Sequence, residues 1–182
     1  MNMKRTYKLS IILAMILSTI LGCGSDAELA TKADFDLNKY LGTWYEIARF
    51  PHSFEKGLSC VSAEYSLRED GKINVKNKGF QTNKEKWTSI DGVARVPDIS
   101  KPGEIKVQFF WPFSGDYFVI DVDEEYHYAL VGSPSRKYLW ILSREVQLNE
   151  ITIQQITAAA EEAGFEVSKL ERVEHNCPLK IL

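Results

Sequence analysis

Short apolar runs recur about every ten residues along most of this chain, and turn-forming residues separate them. Pro51, Asp70-Gly71 and Pro97 each end one run before the next begins. Eight consecutive strands of this kind predict an all-β fold, an antiparallel up-and-down β-barrel with room inside for one small ligand. The predicted strands span residues 44–50, 60–67, 72–80, 87–96, 105–110, 117–122, 128–131 and 138–142.

One later segment has the periodicity of a helix instead. Asn149 can cap its start, and Gly164 stands where a C-terminal glycine is typical. We expect one C-terminal α-helix whose apolar face packs on the outside of the barrel rather than on a partner. The residues that share this face are Ile153, Ile156, Ala160 and Ala163.

The first 22 residues have the features of a secretory signal peptide. Three positive charges precede the apolar run 9–21, which is too short to span a bilayer, since that takes roughly 20 residues. The junction Gly22-Cys23 resembles a bacterial lipobox, where cleavage occurs before a lipidated cysteine. We expect a lipoprotein signal peptide over 1–22, a lipidated tether over 23–34 and a folded domain over 35–182. The alternative is an ordinary signal peptide followed by an incidental cysteine.

The residue after Cys23 bears on location. It is Gly24 and not aspartate, and by resemblance to enterobacterial sorting this favours the outer membrane, at its periplasmic face. Acyl chains on Cys23 would anchor the protein stably, since each buried CH₂ contributes about 0.8 kcal/mol.

The charge balance argues against a nucleic-acid partner. The chain has 22 Lys and Arg against 25 Asp and Glu, for a net charge of -3. Loss of residues 1–22, which carry three positive charges and no negative charge, would make the net charge more negative still. A basic surface large enough for nucleic acid is therefore not expected.

The cysteine count agrees with export. Lipidation of Cys23 would leave Cys60 and Cys177, an even pair in an oxidising compartment. A disulfide between them would close a loop of over a hundred residues, for which the chain-entropy model gives roughly 4.7 kcal/mol. The alternative is two buried free thiols.

Three segments in order resemble the motifs of the lipocalin family. Gly42-Thr43-Trp44 matches Gly-x-Trp on the first strand, residues 122–126 match Thr-Asp-x-x-Tyr with Val122 in place of threonine, and Arg144 follows the last strand. The resemblance covers about residues 35–178 and is strongest to bacterial outer-membrane lipoprotein lipocalins and to apolipoprotein D. It implies the eight-stranded barrel with one helix outside.

The resemblance also implies structural roles. Trp44 would close one end of the barrel, and Arg144 would lie across its indole, a contact worth up to about 2 kcal/mol when desolvated. Both are expected to be scaffold residues rather than ligand contacts. Segments 60–67 and 176–178 resemble the cysteine-bearing segments of apolipoprotein D, which implies a Cys60–Cys177 disulfide.

Strand alternation and the resemblance indicate which residues line a ligand. Alternate residues of a barrel strand face inward, and this selects Tyr65, Trp87, Phe109, Tyr117, Tyr128 and Trp140. The resemblance implies ligand-lining positions at Tyr65, Phe109, Tyr117, Trp140 and Leu142. Such a cup suits an acyl chain with its polar head near the mouth. The alternative is an interior that these side chains fill completely.

The sequence therefore predicts a membrane-anchored protein that carries or stores a fatty acid or lysophospholipid in the bacterial envelope. We expect no cofactor and no metal, and a homodimer remains open. The chain lacks a nucleophile elbow, a dinucleotide fingerprint, a phosphate loop and a His-Glu-x-x-His sequence. Two alternatives use the same cavity: an isomerase-like lipocalin enzyme, and a tetrapyrrole binder with His127 as axial ligand.

Three further features have more than one interpretation. His52 could meet a ligand carboxylate at the mouth or be a solvated loop residue. The acidic residues around Asp123 could imitate a calcium site, but a solvated turn is the simpler interpretation. Residues 111–113 are expected in a loop that shapes the open end, touches membrane or packs on the barrel.

Overall fold

Eight antiparallel strands close into a barrel in the computed structural model, which describes residues 28–178. Each strand pairs with the next along the chain, and β1 also pairs with β8, so the predicted barrel is confirmed. The signal peptide over 1–22 and Cys23 lie outside the described residues. The strands are β1 Gly42–Arg49, β2 Leu58–Leu67, β3 Ile73–Gln81, β4 Lys86–Arg95, β5 Glu104–Phe110, β6 Phe113–Val122, β7 Tyr128–Gly132 and β8 Leu139–Ser143.

The loops alternate between the two ends of the barrel because neighbouring strands are antiparallel. The loops that follow β1, β3, β5 and β7 share one end, which we call the open end. The loops that follow β2, β4 and β6 share the other, which we call the closed end. Phe113, expected in a loop, is instead the first residue of β6, so only Trp111 and Pro112 separate β5 from β6.

Two α-helices and a short ninth strand complete the fold. The one-turn helix α1, Leu37–Tyr40, precedes β1, and the helix α2, Glu150–Glu162, follows β8. The Asn149 side chain caps α2 as predicted, since its oxygen accepts a hydrogen bond from the backbone N–H of Thr152 at 2.8 Å. Strand β9, Glu171–Arg172, pairs with the end of β1. Within residues 28–178, no helix is long and apolar enough to cross a bilayer.

The barrel wall separates two apolar clusters. Along β8, Leu139 and Ile141 belong to the outer cluster, while Leu142 belongs to the inner one, as strand alternation requires. The buried face of α2, with Ile153, Ile156 and Ala160, covers the outer cluster. Both faces of this part of the wall are therefore apolar.

The segment before α1 lies against the barrel. The side chain of Leu29 is buried in the outer cluster, and the backbone N–H of Lys32 donates to the carbonyl of Val119 at 2.9 Å. Glu28 forms an ion pair with Lys101, in the loop after β4 at the closed end, at 2.8 Å. Residues 28–34, expected to belong to a tether, are thus packed on the wall.

The closed end is sealed by Trp44 and Arg144. Trp44 is fully buried, and its indole N–H donates to the carbonyl of Tyr40 at 2.7 Å. The guanidinium carbon of Arg144 lies 3.9 Å from the centre of the indole ring. The same guanidinium donates to four backbone carbonyls, those of Lys39, Leu41, Thr43 and Tyr126.

A glycine is required beside this seal. Gly42 has a φ of 96°, in the left-handed region that favours glycine. A Cβ there would lie 3.4 Å from Nη1 of Arg144. The glycine of the first family motif therefore has a structural reason, namely its positive φ, which would be strained in any residue with a Cβ.

The disulfide joins β2 to the C-terminal segment. Cys60 and Cys177 are bonded, with their Cα atoms 6.2 Å apart, so the predicted pairing is found in the structure. The backbone N–H of Cys60 also donates to the carbonyl of Glu174 at 2.7 Å. The bridge closes a loop of 117 residues and holds the chain that follows β9 against the outside of the barrel.

Replacing Arg144 with lysine should destabilise the barrel. Lysine keeps the charge, but it cannot stack a planar group on Trp44 while donating to four carbonyls. We expect the free energy of unfolding to fall by about 1–3 kcal/mol in denaturant titration. Arg68→Lys is the matched control, because Arg68 is paired only with exposed groups near Asp70. Equal stability of the two variants would contradict the role assigned to Arg144.

Candidate ligand-binding cavity

The interior of the barrel is filled at the closed end and accessible at the open end. Ile73 and Ala94 face each other across β3 and β4 near the closed end, and both are buried in the inner cluster. In the same unbroken register, Ile90 lies opposite Asn77 and faces inward, but it is 37% exposed. The inward face of the wall is therefore accessible to solvent towards the open end and covered by Trp44 at the closed end. We call this interior the cup, with its floor at Trp44 and its mouth at the open end.

Five of the seven predicted ligand-lining residues face this interior. Tyr65 and Leu142 belong to the inner cluster, and Phe109, Tyr117 and Trp140 are partly buried against it. Trp140 lies near the mouth, where its ring stacks on that of Tyr138 at 5.9 Å between centroids. Phe109 lies over Gly92, where a Cβ would approach its ring to 2.7 Å.

The predicted inward orientation of Trp87 and Tyr128 is wrong. On β4 the inward residues are those in phase with Ala94, so Trp87 faces outward, where its indole N–H donates to the carbonyl of Pro178 at 3.3 Å. On β7 the inward residues are Ala129 and Val131, and Tyr128 packs against the outer cluster. Neither residue contacts the cup.

Three tyrosine hydroxyls meet inside the barrel. The hydroxyl of Tyr65 donates to that of Tyr117 at 2.9 Å, and the hydroxyls of Tyr117 and Tyr40 lie 2.6 Å apart. Three O–H donors thus share two hydrogen bonds, which leaves one proton free for a ligand or water. We call these residues the tyrosine triad.

Tyr40 was not predicted by sequence reasoning. It lies on α1 rather than on a strand, so strand alternation does not apply to it. Its ring stacks on Trp44 at 4.7 Å and reaches the interior through the floor. The only signal in the sequence was its position one helical turn before Trp44.

The triad should resist ionisation. Burial is the main cause that raises the pKa of Tyr40, Tyr65 and Tyr117 above the usual value of 10. The unfolded chain therefore loses these protons first, and stability is lost as the pH rises above about 10. An ultraviolet titration should show three tyrosines that ionise only when near-ultraviolet circular dichroism is lost. In Tyr117→Phe one of these should disappear; ionisation of all tyrosines in the folded protein would contradict the burial.

A buried cluster of charged side chains lies where β1 meets the loop that follows it. Arg49 donates to a carboxylate oxygen of Glu46 at 2.8 Å, and its Nε lies 3.4 Å from Glu55. Arg49 also donates to the carbonyls of Glu55 and Leu58, so one guanidinium ties the loop to the barrel. His52 lies 3.0 Å from Glu55, and none of the four side chains is more than 11% exposed.

The pKa values of the two carboxyls in this cluster shift in opposite directions. Burial raises the pKa of Glu46 well above its usual range, and the nearby charge of Glu55 adds to this. Burial also raises the pKa of Glu55, but His52 and Arg49 lower it by more, so the net shift is downward. The pKa shifts of the two carboxyls are therefore opposite, although the same guanidinium of Arg49 contacts both.

Sequence reasoning named only His52 from this cluster. Glu46 could have been found, because it is in phase with Trp44 on β1 and so faces inward. Glu55 could not, because it comes from a loop. Both ring nitrogens of His52 are buried without a well-aligned hydrogen-bond partner. A cavity of about 390 Å³ lies beside the loop, and His52, Arg49 and Glu55 are among the residues that line it.

His127 and the acidic turn lie at the closed end, away from the cup. The side chain of His127 is 69% exposed, and its Nδ1 lies 3.0 Å from Asp123. The other carboxylate oxygen of Asp123 accepts from the backbone N–H of Tyr128 at 2.8 Å. His127 therefore cannot be the axial ligand of a tetrapyrrole held in the interior.

The family follows from comparison of the whole domain. A model of the lipocalin-like domain matches residues 35–175, which includes every strand of the barrel. The chain belongs to the lipocalin family. Lipocalins are generally carriers that bind small hydrophobic ligands.

Relatives in bacteria and animals cover most of the chain. It is 52% identical over 137 residues to the outer membrane lipoprotein Blc of Citrobacter freundii, which covers 75% of this chain and 77% of that protein. It is 42% identical over 160 residues to Blc of Vibrio cholerae, covering 86% and 94%. Apolipoprotein D of Bos taurus is 38% identical over 154 residues, covering 80% of each. The similarity to the Blc proteins places this lipocalin at the bacterial outer membrane as a lipid-anchored protein.

Solved structures agree on the fold. Insecticyanin from the tobacco hornworm Manduca sexta superposes with a TM-score of 0.65 at 23% identity, covering 81% of this chain and 84% of that one. At this identity the comparison concerns the barrel alone and not the ligand.

Proposed function

We propose that this lipocalin binds a single-chain lipid, a fatty acid or lysophospholipid, in its cup and carries or stores it at the outer membrane. The observation that carries the proposal is the asymmetry of the interior. The floor is sealed by Trp44, and the inward wall near the mouth combines apolar residues such as Ile90 and Trp140 with solvent access. A blind apolar cup matches one extended acyl chain.

The mouth supplies partners for a polar head. The buried nitrogens of His52 lack well-aligned hydrogen bonds, and Trp140 packs beside them with its ring centroid 5.5 Å from the imidazole. A head group at this level leaves the acyl chain to run down from Trp140 to Tyr117 and the other members of the tyrosine triad. Each buried CH₂ contributes about 0.8 kcal/mol, which is ample for micromolar affinity after ordering costs.

We infer a carrier rather than an enzyme. The cysteines of the described residues, Cys60 and Cys177, are paired outside the cup, so no thiol there can act as a nucleophile. The buried carboxyl of Glu46 is bound by Arg49, which in turn holds the loop at the mouth. These contacts support a structural role for the cluster.

Replacing Trp140 with leucine should weaken lipid binding at least about tenfold, which corresponds to 1.4 kcal/mol. The reason is the loss of ring surface that lines the cup beside His52 and Tyr117. Calorimetric titration of delipidated protein with oleate and with lysophosphatidylcholine measures the effect. Trp87→Leu is the matched control, because Trp87 faces outward, and it should bind normally.

Two results would overturn the carrier proposal. One is wild-type protein that binds neither lipid more tightly than a detergent of similar chain length. The other is a Trp140→Leu variant that binds both lipids as the wild type does.

We also propose that Cys23 carries the lipid anchor and begins the mature chain. The support is the charged start, the short apolar run and the Gly22-Cys23 junction. Intact mass of the membrane-extracted protein should match a chain from Cys23 plus acyl groups, and Cys23→Ser should lose metabolic labelling with palmitate. Labelling that persists in Cys23→Ser would assign the acyl groups to another residue and contradict the proposal.

A further inference from the structure

The open end of the barrel collects the exposed aromatic side chains of this protein. Within residues 28–178, four phenylalanines and tryptophans are largely exposed: Phe54 at 75%, Phe110 at 66%, Trp111 at 86% and Phe113 at 77%. Phe110 and Phe113 pair across the end of the β5–β6 hairpin, and Trp111 lies in its two-residue turn. Phe54 lies in the loop that follows β1, at the same end. We call these four residues the aromatic rim.

Within residues 28–178, the same end collects the exposed lysines that have neither an acidic nor an aromatic partner. Eight lysines of the described residues form ion pairs or lie over a ring, and they are Lys32, Lys39, Lys72, Lys76, Lys78, Lys101, Lys106 and Lys169. The remaining four are exposed and form no ion pair within residues 28–178. They are Lys56, Lys84, Lys86 and Lys137, in or beside the loops that follow β1, β3 and β7. We call them the rim lysines.

The closed end has the opposite charge. The turn after β6 carries Asp123, Glu124 and Glu125 and no lysine or arginine, whereas in the turn after β2 Asp70 is paired with Arg68 and Lys72. The barrel is thus polarised along its axis, although the whole chain has a net charge of only -3. Such a dipole orients the open end towards a negatively charged surface.

We propose that the open end docks on an anionic lipid bilayer, with the aromatic rim inserted at the interface and the rim lysines on the head groups. Exposed aromatic rings surrounded by lysines are the combination that binds such interfaces. Docking in this way brings the mouth of the cup against the bilayer, so that an acyl chain can pass between them without crossing water. The docking surface itself does not depend on which lipid the cup holds.

A second copy of this chain fits the surface less well. A symmetric contact between two open ends would bring two sets of four unpaired lysines together. The exposed acids at this end, Glu85 and Glu171, offset these lysines only in part. Glu55 is buried in the cluster with Arg49 and His52. A bilayer with anionic head groups offers an apolar interface to the aromatic rim and negative charge to the rim lysines.

The position of the N-terminal chain decides how the protein can reach a bilayer. Glu28 lies at the closed end beside Lys101, and Cys23 is five residues before it, a reach of at most about 18 Å. An anchor at Cys23 therefore leaves the rim free to contact its own membrane when the barrel lies along it, or a facing membrane when it stands upright. Each arrangement is a form of the same docking.

The test uses the full lipidated chain, reconstituted in vesicles made of equal parts phosphatidylglycerol and phosphatidylcholine. Brominated phospholipid is placed either in these vesicles or in added protein-free vesicles of the same composition. The quenching due to Trp111 is the quenching measured for the wild type minus that measured for Trp111→Phe. This subtraction removes the contribution of Trp140 in the cup. We expect quenching of Trp111 with brominated lipid in at least one of these two places. We expect this quenching to fall at least twofold when all vesicles are made of phosphatidylcholine alone.

Matched sets of variants distinguish the effect of the rim residues from a general effect of surface charge or of exposed apolar residues. Changing the four rim lysines to glutamine should reduce quenching of Trp111 at least twofold, whereas Lys72, Lys76, Lys78 and Lys169 changed to glutamine should leave it unchanged. Changing Phe54, Phe110 and Phe113 to serine should reduce it similarly. The control set is Leu67, Ile99 and Ile151, which are exposed apolar residues away from the rim. Circular dichroism checks the fold of every variant.

Three outcomes would overturn the proposal. They are an unquenched Trp111 in anionic vesicles, equal effects of the rim and control sets, and rim variants that dissociate a dimer in detergent without changing quenching. The last would make the open end a protein interface. Lipid binding in the cup is measured separately by calorimetry, so failure of the docking surface and failure of the carrier proposal give different results.

Discussion

The contact between Arg144 and Trp44 is the constraint on which the rest of the structure depends. One guanidinium covers the indole and binds four carbonyls from two distant segments of the chain, which fastens α1 beneath the barrel. With α1 in place, the Tyr40 ring fills the floor and its hydroxyl reaches Tyr117. In the part of the chain that the structure describes, closure of one end leaves the other as the route to the cup.

The open end is held by a different kind of interaction. Arg49 lies between two buried carboxylates and also binds two carbonyls of the loop after β1. Buried charges of this kind add little net stability compared with apolar packing, but removing one partner is costly. The cluster therefore fixes the shape of the mouth more than it strengthens the barrel, and it keeps the loop beside Trp140 and His52.

The two residues assigned to the wrong face have one physical explanation. Around Tyr128 the strand is apolar on both faces, because the interior lies on one side and α2 on the other. A run that is apolar throughout carries no alternation from which to read its orientation. Trp87 is likewise an apolar residue on the outer face of its strand. It can be there because the C-terminal segment held by Cys177 covers it. In both cases the covering element comes from far along the chain.

The sequence by itself determined the barrel and the helix α2, because periodicity and turn residues act locally. The seal formed by Trp44 and Arg144 followed from the resemblance to the lipocalin motifs. The pairing of Cys60 with Cys177 followed from that resemblance and from the even cysteine count. Only the tertiary structure decided which face Trp87 and Tyr128 occupy. It alone brought Tyr40 to Tyr65 and Tyr117, Glu55 to Arg49, and Phe54 to the same end of the barrel as the hairpin at Trp111. Those groupings join loops and a one-turn helix to strands. Their geometry depends on closure of the sheet and on bulges such as the one after Glu46, which no local pattern records.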